Sequence, residues 1–502
     1  MPRKSVKTPF SAGMGQGPST GAMDVQILNM IHVPTPGARS EVVLCDMPGS
    51  ESLREYVPSV GSGGRGAWTS SVGPNGVPGV YWVVGGDLFR RVGTNTVKVG
   101  TIISSNKQVT FCESQDQTDS VFGYVCDGFS IYSWELKASN STVASTFQEM
   151  EMPFIPGSST VRGVASYITY NTYRLIATLS NSNQWFYSSL NGNAFSALAF
   201  YSSESSPDNT IRVQSFAGNL WVFSRYTCEV RGYTGSATDP FNVANSGVSK
   251  IGICSGDSLA VSGDSMLWLG QEKDAPAGVY MATPSGGIQR VSSPTGAGID
   301  NIIAEWSGKD TAIGFSLFIR GMRLYVLTSR NDATTLVYNI TANKWTRFSS
   351  GNTGSLSFWN VACATSDGNG NILFMPFDSG KECVFTDSKR LDFDGLPIHR
   401  YYQSPVFIAD LQRFSLCQID LDMDVGQSFS ADQGVIYVMP SWDGGKTFSM
   451  RTLVRTGRVG EYGHRASAFG LGSGFALVLR IGTSSNAPLV MYQAKLTVEG
   501  AE

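Results

Sequence analysis

A chain of 502 residues with a formal charge of −3 and only 15% charged residues is long enough for one very large domain or two packed ones. The charge balance excludes a protein that grips the phosphate backbone over a broad basic face, because that contact needs clustered Lys and Arg. With 56 glycines, 11% aromatics and abundant Ser, Thr and Asn, the composition favours short strands joined by tight turns, and an all-β fold is expected.

The N-terminal stretch MPRKSVKTPF is basic but lacks the apolar core of a signal peptide, and no apolar run approaches the ~18 residues of a membrane helix. A soluble protein made in the cytosol, without membrane insertion, is the expectation. Residues 1–22, rich in Gly, Ser and Pro, are predicted to form an extended N-terminal arm ordered only by its neighbours. Eight cysteines, among them Cys45, Cys112, Cys126 and Cys228, are widely spaced with no Cys-x-x-Cys pair, the pattern of reduced, mostly buried thiols.

Gly61-Ser62-Gly63-Gly64-Arg65-Gly66 satisfies G-x-G-x-x-G, yet the Ser, Gly and Pro turns that follow do not open a helix, and a flexible loop is predicted in place of a dinucleotide site. Across residues 23–400 one pattern recurs, in which an apolar run meets a Gly, Asn or Asp turn and a second apolar run leaves it, as in a β-hairpin. These stations are Val84–Leu88, Val125–Phe129, Tyr170–Tyr173, Phe216–Leu220, Val261–Asp264, Ile319–Met322 and Asp367–Asn371, roughly 40 to 57 residues apart. A four-stranded propeller blade takes ~40 to 50 residues, so the region is predicted to be a β-propeller of six or seven blades. The histidines, His32, His399 and His464, are far apart in sequence and show no close ligand pair, so no metal site is expected. The sequons at Asn140 and Asn339 read as turn composition.

Residues 401–502 carry longer strands and are predicted to form a C-terminal β-sandwich. Cys417, Ile419, Leu421, Met423 and Val425 alternate with Gln418, Asp420, Asp422 and Asp424, one face buried and one acidic. Phe475, Leu477, Leu479 and Ile481 alternate in the same way with Ala476, Val478 and Arg480. A solvated strand face explains the three aspartates better than a carboxylate pair or a calcium site. Repeated around a ring, the same face would make an acidic lumen that repels DNA. Ser441, Asp443, Gly445, Thr447 and Phe448 fit the Asp-box pattern of sialidase-type propellers, where the motif braces a turn and carries no chemistry. No catalytic residue or cofactor site is predicted.

Several segments in order resemble the tail-hub or nozzle proteins of short-tailed, podovirus-type phages, the packaged-DNA stabilisation proteins. They include Gly64-Arg65-Gly66 with Gly79–Phe89, Phe200–Asp208, Leu220–Phe223 with Cys228–Val230, Leu267–Gly270, Leu324–Leu327, the turn at Ser441–Phe448, Gly457–Tyr462, Arg465 and Leu471-Gly472. The resemblance implies a non-enzymatic virion protein assembled in the host bacterial cytoplasm. It further implies a homohexameric ring under the portal-adaptor ring, with the C-terminal domain as platform, contacting tailspikes or fibres and a plug or needle. Double-stranded DNA would be retained and then conducted through the lumen without specific binding. Arg458, Tyr462 and Arg465 are candidate interface residues, although the basic residues common in relatives are missing near Ala466–Ala468. Two rival readings are a sialidase-like propeller and a receptor- or glycan-binding tail protein using exposed aromatics such as Trp185 and Tyr187.

Overall fold

The computed structural model describes residues 3–15, 25–37, 40–116, 118–203, 208–293, 298–351, 355–409, 412–429 and 434–500. Among these the chain is almost wholly β, with only short helices such as Val143–Thr146 and Asp300–Glu305. Seven small antiparallel units follow one another as the blades of a propeller. Blade 1 holds Gly64–Thr69, Val80–Val84, Asp87–Val92 and Asn95–Thr101. Blades 2, 3 and 4 start at Thr110, Ala165 and Thr210, blade 5 at Gly252, blade 6 at Ile313 and blade 7 at Cys363. The seven predicted hairpin stations fall one to each blade.

Their packing follows from the strand's period of two when both faces are covered. In Val80–Val84, the side chains of Tyr81 and Val83 join a core with Val125 and Trp134 of blade 2. Val80, Trp82 and Val84 point the other way, into a core with Cys363, Leu373 and Met375 of blade 7. Blades 2 and 3, 3 and 4, and 4 and 5 enclose equivalent clusters. A single blade could bury neither face, so each stabilises its neighbours and the ring must close. Closure uses the other end of the chain: Gly49–Glu55 lies antiparallel on Lys381–Thr386 as the outer strand of blade 7.

Two further sheets make the sandwich. In one, Val490–Glu499 is flanked by Phe414–Met423 on one side and by Val42–Asp46 and Lys4–Pro9 on the other; Met30–Pro34 and Ala466–Phe469 form its ends. In the other, the outer strand of blade 6, Lys344–Phe348, continues through Gln26–Leu28 to Arg400–Gln403, Ala476–Thr483, Val435–Ser441 and Thr452–Arg455. Part of the segment expected as an arm is thus a strand, with Lys4↔Val498 and Pro9↔Gln493 as partners; residues 16–22 lie outside the described residues. Within residues 26–46, Gln26–Leu28 pairs with both Arg400–Gln403 and Lys344–Phe348 of blade 6, and Val42–Asp46 with Val490–Glu499. One hydrophobic core runs without a break from blades 5 and 6 into the sandwich.

Candidate functional site

The Asp-box sequence occupies the turn between Val435–Ser441 and Thr452–Arg455, in the sandwich and not in a blade. Asp443 accepts hydrogen bonds from the Lys446 and Thr447 amides at 3.0 Å, from Thr447 Oγ1 at 2.6 Å and from Ser441 Oγ at 2.7 Å. The Gly445 amide donates to Ser441 Oγ at 2.9 Å. These donors, led by the Thr447 hydroxyl and amide, hold the carboxyl well below the usual carboxylate range. Phe448 lies under the Arg480 guanidinium, 4.0 Å from its ring centroid. Every named side chain of the motif is engaged in bracing the turn, so nothing here is poised as an acid or nucleophile.

Asp420, Asp422 and Asp424 do share a strand face, but each carboxylate is engaged. Asp420 meets Arg465 Nη2 at 2.9 Å and accepts from Ser467 Oγ at 2.6 Å and Gln418 Nε2 at 2.7 Å, which keeps its pKa low against the cost of burial. Asp422 accepts from Gln493 and Asp424 from Tyr492. Of the three candidate interface residues, Arg465 is thereby tied to the acidic face. Arg458 lies in the exposed loop beyond Arg455, where its amide donates to Glu461 at 2.8 Å, and the Tyr462 ring stands in solvent. Around them Leu453, Val459, Tyr462 and Phe469 are each more than 60% exposed, on and between two adjoining edge strands, Thr452–Arg455 and Ala466–Phe469.

Sequence reasoning missed the propeller axis. Tyr167 of blade 3 donates to Asp257 of blade 5 at 3.1 Å, and Arg212 of blade 4 donates to the Gly256 carbonyl at 2.6 Å while stacking 5.0 Å from the Tyr167 ring. The Gln108 amide of blade 2 also reaches Asp257, and Lys107 lies close enough to act on it. Burial raises the pKa of Asp257 and Tyr167 and lowers that of Arg212. Groups from blades 2 to 5 therefore meet where the inner strands converge. Tyr167 and Asp257 also line a cavity of about 740 Å³, whose other residues come from blades 2, 3, 5 and 6 and the approach to blade 7. The available signal was a polar or aromatic residue a few positions before a hairpin station, as at Tyr167 and Asp257, too weak a pattern to separate from ordinary turn chemistry.

Two expectations are corrected. Trp185 and Tyr187 are not exposed; they fill the interface between blades 3 and 4 with Val213, Leu220 and Phe241, so they cannot serve as a glycan platform. The glycine-rich segment is a loop only in its first half, because Gly64, Arg65 and Gly66 already belong to Gly64–Thr69, the first strand of blade 1. Arg65 is buried there and donates to the carbonyls of Lys107, Gly85 and Ile103 and to Ser105 Oγ at 2.8–2.9 Å. A Cβ on Gly66 would come within 2.4 Å of Val109, so the glycine allows blade 2 to close on blade 1. All eight cysteines are free thiols, buried or half-buried. No helix among the described residues is long and apolar enough to cross a membrane.

Residues 6–369 match the family model described as Bacteriophage P22 Gp10, beta-propeller. No curated protein matches the chain significantly. Similar solved structures include the extracellular domain of the hybrid two component system BT4673 from B. thetaiotaomicron, at 11% identity over 84% of this chain and 47% of that one, with a TM-score of 0.40. Others are BBS1N in complex with ARL6DN, at 11% identity over 68% and 98% with a TM-score of 0.38, and the exo-beta-1,3-galactanase of Phanerochaete chrysosporium, at 9% identity over 79% and 96% with a TM-score of 0.28. The chain spans less than half the length of the two BT4673 structures. At TM-scores this low none of these likenesses carries an argument.

Proposed function

This chain belongs to the bacteriophage P22 Gp10 β-propeller family, and on that premise we propose that it builds the ring-shaped nozzle of a short phage tail. The family is one of structural phage proteins, which makes the chain a virion component. In the finer reading six copies close into a ring below the portal-adaptor ring, meet tailspikes or fibres and a plug or needle, hold the packaged DNA and conduct it at ejection.

The observation that carries the reading is the family match over nearly the whole propeller. The geometry adds two constraints. We place the lumen between copies, away from the propeller axis where Tyr167, Asp257 and Arg212 are bonded to one another. The apolar group at Leu453, Val459, Tyr462 and Phe469, with Arg458 and Arg465 beside it, supplies a surface for such a contact. A stable interface needs roughly 800 Å² from each partner, more than this group alone offers, so neighbouring polar surface must join it. Repeated around the ring, the strand face of Asp420, Asp422 and Asp424 would supply a DNA-repelling wall.

The test is reconstitution. Purified protein added to adaptor-bearing particles that lack it is expected to form a closed ring visible by electron microscopy and to stop DNA leakage. Leu453→Asp with Phe469→Asp should block the ring while leaving the melting temperature within a few degrees. Filled, infectious particles produced without the protein would end the reading.

A further inference from the structure

The cavity at the propeller axis has no part in the nozzle reading, and its construction is that of a ligand site. We propose that it binds a neutral oligosaccharide, held between Lys107, Asp257 and Asn331 and against the aromatic faces of Phe129 and Phe358. At about 740 Å³ it lies within the range of small-molecule pockets, and its residues come from loops and strands of several blades, so no single hairpin accounts for it.

Its floor is fixed before any ligand arrives. Arg212 lies beneath, donating to the Gly256 carbonyl at 2.6 Å and to Gln214 Oε1 at 2.8 Å; its guanidinium supports the Tyr167 ring, whose hydroxyl donates to Asp257 at 3.1 Å. A carboxylate set in this way loses little freedom on binding, which is how preorganised sites gain affinity. The rim is softer: the Lys107 ammonium rests 4.6 Å from the centroid of the half-exposed Phe129 ring, and Arg330 stacks near Phe358 and Phe377 at 5.9 and 4.9 Å.

The charges decide the class of ligand. Lys107 and Arg330 face Asp257 and Asp310 among the lining residues, and Arg212 beneath adds one cation, so the net charge is small and the field selects no polyanion. Carboxylate acceptors, an ammonium donor and amides such as Asn331 together match hydroxyl groups, which both donate and accept. The half-exposed Phe129 ring at the rim leaves apolar surface for the C–H face of a sugar ring. A purely apolar ligand would leave the charged rim groups desolvated and unpaired.

The full-length chain is to be titrated by saturation-transfer NMR and calorimetry with neutral di- to tetrasaccharides of gluco, galacto, manno and rhamno configuration, and with a sulfated heparin hexasaccharide. At least one neutral oligosaccharide should bind. Asn331→Trp, which fills the mouth, and Lys107→Ala, both at exposed positions, should each weaken it about tenfold or more at an unchanged melting temperature. The proposal is overturned if no neutral oligosaccharide binds, if both variants leave the affinity unmoved, or if only the heparin fragment binds. Ring formation is scored separately on particles, so either idea can fail without the other.

Discussion

His399 is buried where the sandwich meets the propeller, its Nδ1 2.9 Å from Ser484 Oγ and its Nε2 3.2 Å from the Tyr437 hydroxyl. Burial, then Arg451, Arg400 and Arg480, push its pKa down to about 4, and burial does the same to His32. In the unfolded chain an imidazole takes its proton near pH ~6.5, while in the folded chain these two wait until about 4. The unfolded state therefore binds more protons in that window, and stability is lost as pH falls from about 6.5 to about 4, by on the order of 3 kcal/mol per histidine. His399→Gln keeps a neutral hydrogen-bonding group and is expected to flatten the slope of unfolding free energy against pH by one proton; an unchanged slope in urea titrations at pH 7, 6, 5 and 4.5 would contradict this. Little of this environment was legible in the sequence. A residue in a strand covered on both faces, such as His399 or Trp185, has the same local pattern as one on a half-exposed face, and only the identity of the neighbouring blade or sheet decides its burial.

At the scale of the element the sequence was most informative, because a hairpin is a local object. The turns at Ala217-Gly218 and Arg320-Gly321 have positive φ at both central residues, the conformation that matches strand twist, and their composition announced them. Thr172 and Tyr173 form the same turn with φ of 45° and 63° but without a glycine. Tyr173→Gly should relieve that strain and stabilise the protein by about 0.5–1 kcal/mol, read as a rise in denaturation midpoint at constant m-value. The closing strand Gly49–Glu55 was not legible, since its partner lies more than 300 residues away and no local rule selects it. The short Gln26–Leu28 strand and the exposed Lys4–Pro9 strand were hidden for the same reason. Alternate amides of Gly49–Glu55 point toward and away from Lys381–Thr386. Proline placed in turn at Glu51 and at Ser52 is thus expected to cost about 2–4 kcal/mol at the inward position and under ~1 at the other. Hydrogen exchange in Lys381–Thr386 should accelerate in the costly variant only; equal effects would mean that this strand does not close the ring.

For the molecule as a whole, the question is what makes propeller and sandwich one body, and the answer centres on Asp46. The chain crosses between the two parts beyond Asp46 and again before Arg400, and the crossings are bonded to each other through Gly49 and Ser50 to the carbonyls of Lys389 and Leu391. The Asp46 carboxylate, wholly buried, faces Arg390 Nε at 2.9 Å, Arg400 Nε at 3.5 Å and Arg320 of the blade 6 hairpin at 3.6 Å, and accepts from the Leu489 amide at 3.0 Å. Burial lowers the Arg400 guanidinium to about 10, although Asp46 opposes the shift, and its Nη2 is held by the carbonyls of Ser485 and Ala487. Asp46 thus faces guanidinium groups drawn from blade 6, the exit of blade 7 and the sandwich, while the exposed Asp387 holds Arg320 at 2.7 Å and lies 3.6 Å from Arg390. Asp46→Ala removes the buried anion of the cluster and should destabilise by about 3–5 kcal/mol, chiefly the cost of leaving the buried Arg390 and Arg400 without it. The loss should be regional. Hydrogen exchange would quicken first at the crossings, around residues 46–50 and 387–400, and in the 485–490 segment, while the interfaces of blades 2 to 4 keep their protection. Asp46→Asn, which can still accept from Arg390 and the Leu489 amide, should recover part of the stability. If instead both variants melt the far blades as early as the crossings, the two parts are held by the continuous core alone and the ion cluster is incidental.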